Sequence, residues 1–124
     1  MGEGVLIDTD VLIDYVRGRR DLPEVVCYIS EITLYEFIRG ARDPREAKRL
    51  LEREFVVVYC DNEILEKAAE IWRALRHRGA LIEDRDLIIG ATAIAKGLPL
   101  LTGNVKHFKR LREFGLRFYK QVVV

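Results

Sequence analysis

Short β-branched runs alternating with longer helical patterns predict an α/β protein, a three-layer sandwich around a central parallel sheet of four to five strands. Two further observations support that class. The strand-like runs are continuously apolar rather than alternating, as in strands covered on both faces. Carboxylates gather where those runs end and helical segments begin, the edge at which parallel sheets assemble their sites. With 124 residues and no linker, repeat or low-complexity tract, residues 1–124 are expected to form a single domain.

The elements follow in order. Val5-Leu6-Ile7-Asp8 reads as a buried strand running directly into a helix. Val25 to Ile29 forms a second strand, and "SEITLYEFIRGA" a helix after it. Pro44 opens the next helix, a position where its fixed φ is favourable, with Ala47, Leu50 and Leu51 facing inward. Phe55 to Cys60 is a third strand. Asp61-Asn62-Glu63 then starts an amphipathic helix that places Ile64, Ala68, Ile71, Trp72 and Leu75 on one face and stops at Gly79. Leu87 to Ala95 has no polar face, so it is expected to be a central buried helix, ended by Gly97. Pro99 to Thr102 is a fourth strand, and Leu116 to Val124 contains a terminal one.

Composition bounds the function classes. Apolar residues make up 49% and charged residues 33%, with 21 Lys plus Arg against 20 Asp plus Glu. That balance fits a soluble globular protein, and clustered acids can mask a basic rim in the sum. No apolar run approaches the roughly 20 residues of a membrane span. The first residues lack the basic and apolar regions of a signal peptide, so a cytoplasmic location is expected. Cys27 and Cys60 lie in strand-like runs and are expected to be free buried thiols.

The candidate site is carboxylate-based. Asp8 ends the first strand, Glu36 sits in the helix after the second, Asp86 precedes the buried helix, and Asn104 follows the fourth strand. In a parallel sheet these four segments can converge on one edge. Carboxylates with a carboxamide, and no Cys/His pattern, form a hard-oxygen set suited to magnesium or manganese and unsuited to zinc. Asp84 and Asp86 are two apart and cannot point the same way on a helix. Asp84 is therefore assigned as N-cap and Asp86 as metal ligand. By the same logic Asp10 belongs to a first helical turn, and Asp14 turns outward toward Arg17 or Gly18.

Together "VLIDTDVLIDYVRG", "ISEITLYEFIRGA" and "DLIIGATAIAKGLPLLTGNVKHF" resemble the PIN-domain nucleases, most closely the toxin ribonucleases of VapBC-type toxin–antitoxin pairs. The resemblance covers nearly the whole chain in order. It implies that Asp8, Glu36 and Asp86 are the catalytic, metal-holding acids, and that Asn104 fills a fourth position, often Asp in the family, with Thr102 as the hydroxyl residue two before it. It also implies RNA as substrate, Mg2+ (or Mn2+) as cofactor, a small antitoxin protein as partner and a homodimer, with the Tyr35/Phe37/Ile38 region as candidate contact. Asn104 departs from the most acidic version of the motif by removing one negative charge. Phosphate contacts are expected from Arg17, Arg39 and Lys106, within clusters that also hold Arg19, Arg20, Arg42, Lys109 and Arg110.

Two other readings stand beside this one. The strand-Asp-x-Asp form of "VLIDTDVLI" is shared with phosphohydrolases of the haloacid-dehalogenase type, but the late acids here precede an apolar helix instead of following a strand. A non-catalytic PIN-like module that only binds RNA or protein has no reason to gather three acids. His77 and His107 follow basic runs and are expected to be solvated.

Overall fold

The computed structural model describes residues 4–120. Four strands, β1 (Gly4–Ile7), β2 (Val26–Ser30), β3 (Val56–Val58) and β4 (Leu100–Leu101), form a sheet in the order β3-β2-β1-β4. Every pairing is parallel, with Val5 beside Cys27, Ile29 beside Val57, and Leu6 beside Leu100. The helices are α1 (Thr9–Val16), α2 (Glu31–Arg39), α3 (Pro44–Glu54), α4 (Asn62–His77), α5 (Asp84–Lys96) and the short α6 (Val105–Phe108), followed by a 3-10 segment, Lys109–Phe114.

Both faces of the sheet are covered, as the apolar strands require. Val5 and Ile7 pack with Val11, Leu12, Leu34, Leu51 and Phe55 on one face. Leu6 and Leu100 pack on the other with Ile64, Ile71 and Leu75 of α4, Ile89 of α5, and Phe108 and Leu111. Alternate residues of β1 thus feed opposite cores, giving the three expected layers. Packing is tight at Gly90, where an added Cβ would stand 2.3 Å from Leu111 Cδ1.

Helix α5 is buried along Leu87, Ile89, Gly90, Ala91 and Ala93, and Gly97 ends it in the left-handed conformation at φ 64°. Its polar residue Thr92 returns its hydroxyl to Ile88 O at 2.7 Å. Four local expectations are corrected. Leu50 is 52% exposed, and α3 packs through Leu51 with the following Phe55; periodicity sets the spacing of an apolar stripe, not its phase. Asp84 is the first residue of α5 rather than its N-cap, which is Glu83. Asp14 pairs loosely with Arg19, at 3.8 Å. The terminal strand is reduced to one bridge, Phe118 beside Leu100; the rest of that expectation, residues 121–124, lies outside the described residues.

Candidate active site

Asp8, Glu36 and Asp86 meet at the C-terminal end of the sheet. Asp8 immediately follows β1 and begins α1, its carboxylate accepting from Thr9 N at 2.8 Å. It is only 1% exposed, so its charge needs partners. Thr102, just after β4, donates its hydroxyl to Asp8 Oδ2 at 2.8 Å. The neighbouring strands β1 and β4 thereby place the acid and its orienting hydroxyl side by side.

Glu36 enters from α2, whose start is fixed by Ser30 Oγ accepting from Thr33 N at 3.1 Å. The Thr9 hydroxyl lies 2.7 Å from Glu36 Oε1 and 3.0 Å from Thr33 Oγ1. The hydroxyls of α1 and α2 therefore hold the glutamate inward. Arg39, in the last turn of the same helix, lies over the Tyr35 ring, 5.2 Å from the centroid. Asp86, in the first turn of α5, is 5% exposed. Burial pushes its carboxyl above the usual carboxylate value, Arg85 and His107 oppose that shift, and the charge of Asp8 adds to it. His107, itself mostly exposed, brings Nδ1 to 3.6 Å from Asp86 Oδ2.

The residue that joins the three acids is Arg85. Its Nε donates to Glu36 Oε2 at 2.6 Å, Nη1 to Asp86 Oδ1 at 2.5 Å, and Nη2 to Asp8 Oδ1 at 3.1 Å. Burial works against its charge, but the hydrogen bond to Glu36 and the charges of Asp8 and Glu36 outweigh it and hold the guanidinium above its ordinary pKa. Sequence reading passed over Arg85 because basic residues flanked by acids are common on solvated helix starts. The available signal was its position, one residue before a buried acid.

Asp10 is the second residue missed. Its Oδ2 accepts from Gly103 N at 3.0 Å and lies 3.5 Å from Asn104 Nδ2. An added Cβ at Gly103 would stand 2.6 Å from that oxygen, so any side chain there would push the Asp10 carboxylate aside. Burial, then the neighbouring Asp8 charge, raises the Asp10 carboxyl above its usual value. Asn104 is at the N-cap position of α6, yet its side chain makes no capping bond. Its backbone N–H donates to Thr102 Oγ1 at 2.9 Å. It thus stands one loop away from the three acids, facing Asp10.

Two grooves flank the cluster. One is lined by Ile13, Arg17, Glu36, Phe37 and Gly40, among others. The other is lined by Glu83, Asp86, Lys106, His107 and Arg110, with Leu81 and Ile82. Arg17 lines the first groove beside Glu36, and Lys106 and Arg110 line the second beside Asp86. His77 is placed elsewhere, beside Trp72, Arg73 and Arg76. Of the proposed apolar contact face, Tyr35 is exposed, while Phe37 and Ile38 pack against the core. Cys27 and Cys60 are free and partly buried, and burial raises both thiols.

The donors fit a hard divalent cation in kind, since all three charged groups are carboxylates and the nearest neutral partner is a hydroxyl. A cationic group already stands at their centre in the form of the guanidinium. Among the described residues, no three His, Cys, Asp or Glu side chains are arranged so that they could hold one ion.

A parallel sheet in this order with acids from β1, α2 and α5 at one edge defines the class: the chain belongs to the PIN domain family, whose model matches residues 5–113. Within it, the chain is 48% identical over 118 residues to Ribonuclease VapC1 of Methanocaldococcus jannaschii, covering 93% of this chain and 86% of that protein. It is 33% identical over 122 residues to Ribonuclease VapC1 of Rickettsia felis, covering 88% and 91%. The fold is also that of a solved VapBC-1 chain from nontypeable Haemophilus influenzae (TM-score 0.78, 24% identity, covering 94% of this chain and 97% of that one). A chain of a toxin–antitoxin complex from Klebsiella pneumoniae is similar at 29% identity with a TM-score of 0.65, covering 84% and 89%.

Proposed function

We propose that this protein is a metal-dependent endoribonuclease that hydrolyses RNA phosphodiester bonds as the toxin of a toxin–antitoxin pair. The convergence of Asp8, Glu36 and Asp86 at the strand ends carries the reading, supported by the names of the VapC relatives. Asp8 and Asp86, with Glu36 directly or through water, would hold a magnesium or manganese ion, which when bound would supply Lewis acidity toward water and a nonbridging phosphate oxygen. The chain's own residues do the rest. Thr102 orients the Asp8 carboxylate, and Thr9 orients that of Glu36. Glu36, reachable from the groove beside Arg17, accepts the proton of the attacking water. Arg17 and Lys106 hold phosphates on either side of the scissile bond.

The PIN match over residues 5–113 removes the ground for the haloacid-dehalogenase alternative. A purely binding module leaves the buried carboxylates without a purpose, because ionised groups are costly to bury. The VapBC and toxin–antitoxin complexes among the similar structures support a small antitoxin protein as partner. A homodimer is proposed on family resemblance, with exposed Tyr35 as the remaining apolar candidate of its face. The described residues contain no helix long and apolar enough to cross a membrane, and a cytoplasmic site of action follows from the proposed substrate. The test is RNA cleavage with and without magnesium or manganese. Cation-dependent cleavage by wild type that is lost in Asp8→Asn is expected; cleavage indifferent to the cation or to the substitution refutes the reading.

A further inference from the structure

The guanidinium of Arg85 uses three of its nitrogens on three different carboxylates, each from a different segment of the chain. Three carboxylates against one guanidinium leave two negative charges uncompensated in a buried place, where like charges repel strongly. A divalent cation offers one more positive charge than the guanidinium and a smaller radius, so it can draw the acids closer than a planar fork can. As they stand around the fork, among the described residues, no three of them form a group that could hold an ion. Arg85 is also placed to leave. It lies in the first turn of α5, its side chain is 30% exposed while those of Asp8 and Asp86 are 1% and 7% exposed, and Asp86 already faces a groove lined by Lys106, His107 and Arg110.

From this geometry we infer that Arg85 is a built-in counter-cation of the acid cluster, and that uptake of the divalent cation is an exchange in which the Arg85 guanidinium withdraws from Asp8, Glu36 and Asp86. The inference rests on the proposed metal-dependent reading and adds a regulation to it. The protein without cation is kept folded by the guanidinium, and the threshold cation concentration is set by how firmly Arg85 holds on. Two consequences are opposite in sign. Removing the guanidinium strengthens cation binding, because the competitor is gone. It also lowers the stability of the cation-free protein, because the repelling acids lose the one cationic group that reaches all three of them.

The experiment measures manganese binding by calorimetry and melting temperature without cation, for wild type, Arg85→Gln and Arg85→Lys, with circular dichroism confirming the fold. Arg85→Gln is expected to bind manganese at least tenfold more tightly than wild type and to melt lower without it. Arg85→Lys keeps the charge but loses the three-way fork, so it falls between the two and serves where the Gln variant does not fold. In wild type, the Arg85 Nε–H resonance, assigned by its loss in Arg85→Lys, should shift on titration with diamagnetic magnesium as the bond to Glu36 breaks. Manganese binding that is equal or weaker in both variants, or an Nε–H signal unmoved at saturating magnesium, overturns the exchange while leaving the metal-dependent reading intact. No manganese binding in any of the three proteins overturns both.

Discussion

Helices α4 and α5 pack against each other, and both carry carboxylates at their starts. They use them in opposite ways. Asp61 caps α4 by accepting from Ile64 N at 3.0 Å, and Lys96 Nζ stands 2.6 Å from its other oxygen. The Lys96 hydrogen bond, followed by that of the Ile64 N–H, holds the Asp61 carboxyl below its usual value. Helix α5 starts at Glu83 with no side-chain cap, and its Asp86 is turned into the cluster and pushed above its usual value, first by burial. One carboxylate serves its helix; the other turns away from it into the acid cluster. A helix start that breaks the local capping rule beside a buried acid is therefore a mark of function.

The sharpest way to break the comparison is at the α5 start itself. Asp86→Asn should lower cation-dependent RNA cleavage by about a hundredfold or more, on the order of 3 kcal/mol of transition-state stabilisation. Exposed Asp84, two residues earlier, has no part in the cluster, so Asp84→Asn should leave cleavage near wild type and stability within a few tenths of a kcal/mol, roughly. Because the fold disfavours the ionised form of Asp86, its neutral amide should not lower the cation-free melting temperature. An inactive Asp84 variant beside an active Asp86 variant would reverse the assignment of the two acids.

A second effect tests the packing between α5 and the 3-10 segment. Gly90→Val would drive its side chain into Leu111, which is fully buried and cannot swing into solvent. Overpacking of this kind should cost about 1–3 kcal/mol, read as a lower denaturation midpoint in urea. An unchanged midpoint would mean that α5 can shift and that the site it carries is less rigid than described.

The smallest effect is in the pH dependence of stability. Because the Asp61 carboxyl is depressed, the stability it contributes is fully present above the unfolded value of about 4 and is lost as pH falls through the lower folded value. Asp61→Asn keeps a capping oxygen and drops the charge. Melting curves should show a shallower loss for it than for wild type below about pH 4. Identical acid profiles would show that the pair with Lys96 adds nothing in solution, as many exposed ion pairs do not.

The α/β class, the parallel sheet, the buried α5 helix and the three acids were legible in the sequence. They depend on local signals: continuous apolar runs, residue spacing, and carboxylates at strand-to-helix junctions. Tertiary structure decided how those pieces face one another. It turned Leu50 out and moved the α5 cap to Glu83, because spacing along a helix does not fix its rotation against a sheet. It bound Asp10 to Gly103 across 93 residues of chain. It brought Arg85 to Glu36 and Asp8, 49 and 77 residues away. A guanidinium on a flexible stem goes to whatever carboxylates the fold leaves within its reach, so the partner of the acids became visible only when three distant segments met at one edge of the sheet.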